Sequence, residues 1–177
     1  MRVVTRSSCD PVRPLPTARP AALLVCVAIG LLVSGCEIWT HGPHPLATRL
    51  VLASNASDAQ AAAALISRYR GANGLGPVSS DATLARAAEV QARAVASAGS
   101  LSHGDFPVRM ASFGIRGVAA ENLSAGRTSV VEAIASWKAS PGHNENLLLA
   151  GVRRVGIARI DTPGVGYGQY WALVLSQ

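Results

Sequence analysis

The run Tyr170-Trp171-Ala172-Leu173-Val174-Leu175 near the C-terminus is apolar at every position. In an extended strand, successive side chains point to opposite faces of the sheet. This run therefore offers no face to water and reads as a central strand covered on both sides. Residues 153–160 read as its partner. Gly164, Gly166 and Gly168 mark the connection as a turn, so the two strands form an antiparallel hairpin.

The covering layers come from upstream. Residues 57–70 read as a helix that Ser57 or Asp58 caps. Leu65, Ile66 and Tyr69 lie on it at helical spacing, and Gly71, Gly74, Gly76 and Pro77 end it. A second helix covers 81–98, with Ser80 or Asp81 as cap. Leu84, Ala88, Gln91 and Val95 share one face, Arg86, Glu89 and Arg93 form a solvated face, and Gly99 is a left-handed stop. A short helix over 107–113 opens with Pro107 in its first turn. Residues 114–127 are Gly-rich and contain Glu121. Ser129 and Glu132 have the spacing of a capping box, and Val130, Ile134 and Trp137 then lie along one face. Pro141-Gly142 stops this helix and turns the chain, delivering His143. Helices around a small antiparallel sheet make an α+β layered fold. There is no internal repeat.

Residues 1–35 read as an export signal. An Arg-bearing region precedes an apolar run over 21–33, which at 13 residues is short for a membrane span and suits a signal-peptide core. Val33-Ser34-Gly35-Cys36 resembles a bacterial lipobox, in which Cys36 is lipidated and becomes the new N-terminus. Cys9 and Cys26 would then be discarded, leaving a domain without thiols or disulfides that must stand by packing alone. Residues 36–56 read as a flexible tether. Gly42-Pro43-His44-Pro45 forbids regular structure there, and His41 and His44 belong to a solvated linker. Residues 57–177 suit one compact domain.

The net charge of +6 shrinks once the leader is set aside. Four arginines and one aspartate lie before Cys36, leaving 12 basic and 9 acidic residues of alternating sign. No basic stripe forms, which argues against nucleic acid. The expected location is extracytoplasmic, with the membrane engaged through the lipid at Cys36. No feature of the sequence sets an oligomeric state.

His103, Glu121 and His143 carry the chemistry. Two imidazoles and a carboxylate suffice for zinc or another divalent metal with a position left open. They are spread over 40 residues with no local motif, so only the fold can bring them together. Read by spacing alone, His and Glu in loops are more often surface residues.

The order Leu101-Ser102-His103, Glu121-Asn122-Leu123, Trp137 followed by Ser140-Pro141-Gly142-His143 and Asn146-Leu147-Leu148, then Val155-Gly156-Ile157-Ala158, resembles the CAP superfamily. This is the family of cysteine-rich secretory, antigen 5 and pathogenesis-related 1 proteins, and the closer likeness is to its cysteine-free bacterial SCP-like branch. The resemblance covers about residues 58–177. It implies a three-layer α-β-α sandwich with a central cleft that carries two His and up to two Glu and binds divalent metal in some members. His103 matches the first His, Glu121 the first Glu and His143 the second His. Ser140 stands where the eukaryotic pattern has its second Glu, and a neutral hydroxyl replaces neither a base nor an anionic ligand. Glu145 and Asp105 lie near the histidines in sequence.

Around that cleft Ser140, Glu145, Asn146 and Trp137 are supporting residues. Trp137 is core at the cleft floor, and Asn122 and Asn146 hydrogen-bond backbone rather than substrate. Tyr167 and Tyr170 are packing or rim residues. Ser102, Ser124 and Ser140 lack the flanking pattern of a nucleophile elbow, and no catalytic residue is assigned. The expected activity is binding of a divalent metal and an extended ligand, a lipid or a cell-wall fragment. The alternatives are a metal-dependent hydrolase of peptide or cell-wall bonds, with Glu121 as ligand or base, and a structural or host-interaction module with an inactive cleft.

Overall fold

A computed structural model describes residues 49–177. The export signal, Cys36 and most of the expected tether lie outside the described residues. In chain order the elements are β1 (Val51–Leu52), α1 (Ala56–Ala72), β2 (Ser79–Ser80), α2 (Ala82–Ala98), α3 (Phe106–Ser112), β3 (Ala119–Ala125), α4 (Val130–Ala139), α5 (Pro141–Leu147), β4 (Arg154–Asp161) and β5 (Gln169–Ser176).

The all-apolar run falls in β5, which is paired on both edges. It runs antiparallel to β4 on one side and to β3 on the other, with Glu121 opposite Val174 and Gly156 also opposite Val174. The sheet order is β1-β4-β5-β3, and β2 adds a short parallel pairing to β4. Alternation along β5 divides the core. Tyr170, Ala172 and Val174 pack with Leu84, Ala88, Ala92 and Val95 of α2 and with Phe106 and Met110 of α3. Trp171, Leu173 and Leu175 pack with Ile66 of α1, Ile134 and Trp137 of α4 and Leu147 of α5. Helices thus cover both faces of an antiparallel sheet, giving the expected α-β-α sandwich. Each fully buried large side chain in these layers contributes about 1.5–3 kcal/mol of transfer free energy.

The expected helices form with small shifts at their ends. Asn55, rather than Ser57 or Asp58, caps α1 by accepting from the Asp58 amide, and the Asp58 carboxylate accepts from the Asn55 amide in a capping box. Asp81 caps α2 by accepting from the Thr83 and Leu84 amides at 2.8 and 2.9 Å, and Gly99 ends that helix at φ 65°. Burial raises the Asp81 pKa, but the amide hydrogen bonds and Arg154 at 3.0 Å outweigh this and hold it below the usual carboxylate value.

Three expectations are corrected. The segment around Glu121 is a buried strand: Ala-Ala-Glu-Asn-Leu-Ser-Ala has no β-branched residue to announce it, yet all seven residues of β3 are buried against β5. Pro141-Gly142 is not merely a turn. Pro141 opens α5, where its missing N–H costs nothing, so His143 sits on a helix. Val51 and Leu52, expected within the tether, are instead a strand that pairs with Asp161 and Ile160 of β4.

Arg70 ties the α1 layer together. It is 2% exposed and donates to the carbonyls of Gly76, Leu147, Leu149 and Val152 at 2.9–3.1 Å. Desolvation lowers its pKa, and the carbonyl cage compensates for that burial by satisfying its donors.

Candidate functional site

Glu121 is the central side chain of the site. In β3 it shares the face of Ala119 and Leu123 and so points toward the α2–α3 layer. Its side chain is 1% exposed, and both carboxylate oxygens are engaged. Oε1 lies 2.8 Å from Nδ1 of His103, in the segment between α2 and α3. A carboxylate only accepts, so Nδ1 carries the shared proton. Oε2 accepts from Nη2 of Arg109, on α3, in a close ion pair.

The network extends further. Nη1 of Arg109 donates to Oε1 of Gln91 and, at 3.3 Å, to the His103 carbonyl. Gln91, on α2, donates from Nε2 to the Ser102 carbonyl. The Arg109 guanidinium also lies 5.4 Å from the centre of the Phe106 ring. Asp105 caps α3 by accepting from the Val108 amide, which fixes the helix that carries Arg109.

His143 belongs to a second group, held from the other face of β3. Asn122 donates from Nδ2 to the His143 carbonyl at 3.0 Å. Asn146 donates from Nδ2 to the Glu121 carbonyl at 3.2 Å and to Oδ1 of Asn122 at 2.9 Å. Nδ1 of His143 lies 3.0 Å from the Ser140 hydroxyl, and both residues are buried. Ser140 is the N-cap of α5 and its hydroxyl turns to the imidazole, not to the helix amides. Glu145 is exposed on α5. Trp137 is 1% exposed and donates from Nε1 to the Leu123 carbonyl at 3.0 Å. The structure therefore joins His103 directly to Glu121 and joins His143 to Ser140.

The donor set fits a divalent metal poorly. Among the described residues no three His, Cys, Asp or Glu side chains stand together as a ligand set. Glu121 already answers an imidazole and a guanidinium, and a metal on that carboxylate would sit beside the positive charge of Arg109.

Sequence reasoning missed Arg109 and the role of Gln91. Gln91 did leave a signal, as the one polar residue on the apolar face of α2. The signal for Arg109 was indirect, since a buried carboxylate requires a cation and no histidine guarantees one. A groove of about 190 Å³ opens beside the network, lined by Gln91, Val95, Ala98, Ser102 and Gly104. A larger groove of about 400 Å³, lined by Ser54, Asn55, Gln60 and Asp81, includes none of the predicted site residues.

The fold is shared with three bacterial structures. An outer surface protein from Borrelia burgdorferi matches at TM-score 0.62 and 19% identity, covering 72% of this chain and 97% of that one. An extracellular protein containing an SCP domain from Bacillus anthracis str. Ames matches at TM-score 0.59 and 22% identity, over 68% of this chain and 40% of that one. A cysteine-rich secretory protein from Staphylococcus aureus matches at TM-score 0.57 and 18% identity, over 70% and 39%. The chain thus spans about two fifths of the length of the last two. No curated protein matches in sequence. The model of the cysteine-rich secretory protein family matches residues 63–175, from α1 to the end of β5, and this chain belongs to that CAP family.

Proposed function

We propose that this chain is an exported CAP-domain protein, anchored by a lipid at Cys36, whose site binds an envelope ligand without cleaving it. The observation that carries the reading is the state of Glu121. Hydrolysis by this site needs a carboxylate that can take a proton from water, and both oxygens of Glu121 are held by His103 and Arg109. The second carboxylate position of the family pattern holds Ser140, buried against His143. The ligand is extended, a lipid or a cell-wall fragment. The groove beside Gln91 and Ser102, at about 190 Å³, is smaller than the roughly 300–1,000 Å³ of a site that encloses a whole small molecule, and so suits one end of a longer one.

Export rests on the apolar run over 21–33 and the lipobox-like Val33-Ser34-Gly35-Cys36. Among the described residues no helix is long and apolar enough to cross a membrane, and the attachment proposed is the lipid at Cys36. The Borrelia burgdorferi and Bacillus anthracis relatives are described as surface and extracellular proteins, which agrees with this location. Cys36→Ala should move the protein from the membrane fraction to the soluble fraction.

The activity is tested with isolated cell-wall sacculi and with phospholipid vesicles, using the full chain beside Glu121→Gln. Saturable binding to one of them, with no soluble fragments or free fatty acid released, supports the reading. Release that Glu121→Gln abolishes establishes the hydrolase instead.

A further inference from the structure

We infer that Arg109 is a resident cation, holding beside Glu121 the place of a divalent metal and making this site metal-independent. Four observations converge on it. The ion pair is sealed, with the side chain of Arg109 9% exposed and that of Glu121 1%. The guanidinium is held from several sides, by Oε2 of Glu121, Oε1 of Gln91, the His103 carbonyl at 3.3 Å and the Phe106 ring. Gln91 is itself 4% exposed and anchored to the Ser102 carbonyl, so the acceptor that fixes Arg109 is fixed in turn. The remaining oxygen of Glu121 is taken by His103 at 2.8 Å.

The charge account explains why such a cation excludes a metal. Glu121 brings one negative charge to this network, and one guanidinium balances it. A zinc ion bound by an oxygen of Glu121 would add two positive charges beside Arg109 and would compete with whichever of His103 or Arg109 that oxygen now holds. An imidazole can lose a proton to admit a metal, but a guanidinium cannot. Removing the Arg109 charge should therefore create metal affinity where the native protein has none. The inference does not depend on which ligand the site binds or on whether it cleaves that ligand.

The test is zinc titration by calorimetry on the full chain in detergent, wild type beside Arg109→Gln. Glutamine keeps a hydrogen-bond donor toward Glu121 while discarding the charge. The expected result is at least a tenfold gain in zinc affinity for Arg109→Gln, abolished when either His103→Ala or Glu121→Gln is added. A folded Arg109→Gln that binds zinc no better than wild type overturns the inference. Should that variant fail to fold, cobalt titration of the wild type followed by the imidazole NMR signals decides. His103 signals that stay sharp at a cobalt excess support a metal-free site. His103 signals broadened by cobalt in wild type, and restored by Glu121→Gln, overturn it. Turnover of sacculi without metal would overturn the proposed binding function and leave Arg109 as the resident cation.

Discussion

Gly156 lies in β4 where the first turn of α2 crosses the sheet, on the face that Ala158 and Ile160 also use. A Cβ at this position would lie 2.1 Å from the Ala85 amide nitrogen, 2.1 Å from the Leu84 carbonyl carbon and 2.6 Å from Leu84 Cβ. The two closest atoms are helix backbone, which cannot rotate away. Since Cβ contacts below 3.0 Å essentially do not occur, α2 and β4 would have to separate by about 0.9 Å. The interface at risk includes Leu84, Ala87, Ala88, Ala92, Val95 and Ala96. One Leu, one Val and four Ala methyls bury roughly 7 kcal/mol of transfer free energy. A gap of about 0.5–1 Å forfeits a quarter to a half of the contact energy, so Gly156→Ala should cost about 2–4 kcal/mol, near the upper range for overpacking. For a domain of this size that is a fall in Tm of roughly 8–15 °C. Thermal unfolding followed by circular dichroism, on wild type and variant in the same buffer, measures it. A Tm within about 2 °C of wild type would refute the close approach of α2 to β4.

Trp137→Ala should destabilise by about 3–5 kcal/mol in urea unfolding, and Trp137→Phe by about 1–2, because it keeps most of the ring while losing the hydrogen bond to the Leu123 carbonyl. Arg70→Met should cost about 3 kcal/mol or more by leaving buried carbonyls unpaired, with faster amide exchange in α5 as its local signature. The pKa of Asp81 is depressed in the folded state, so its charge stabilises the protein above the unfolded carboxylate pKa of about 3.9, and that contribution is lost as pH falls through the lower folded value. Asp81→Asn keeps a helix cap and removes the titration. The stability gap between wild type and Asp81→Asn should therefore be largest near pH 7 and close below about pH 4, read from urea midpoints across pH.

Periodicity made much of this architecture legible. Leu84, Ala88, Gln91 and Val95 were expected on one helix face and all are buried. The apolar run over 170–175 was expected to be central and lies between β3 and β4. Two elements escaped because their signals are tertiary. β3 is made of Ala, Glu, Asn, Leu and Ser, residues with little strand preference, and is a strand only because β5 pairs with it. α5 was hidden by Pro141, which reads as a breaker after one helix and serves equally as the first residue of the next. The site was partly legible. His103 and Glu121 do meet, across 18 residues of sequence. Their cation was not, because an arginine on a short helix looks the same in sequence whether it faces water or a buried carboxylate.

The motif residues divide between chemistry and folding, and β3 shows where the division runs. Among the described residues it is the last strand of the sheet on its side, and such an edge leaves carbonyls in need of donors. Asn146 of α5 donates to the Glu121 carbonyl and Trp137 of α4 donates to the Leu123 carbonyl, two residues along the same strand. Asn122 reaches from β3 to the His143 carbonyl and so fastens α5 in return. These three residues close a sheet edge by side-chain hydrogen bonds, a task set by the fold whatever the site binds. The family pattern around Glu121-Asn122 and His143 to Asn146 is therefore explained in good part by the need to dock two helices on a strand edge. That leaves the resemblance informative about architecture. The chemistry must be read from the few side chains that the edge does not use: His103, the Glu121 carboxylate, Arg109, and the His143–Ser140 pair.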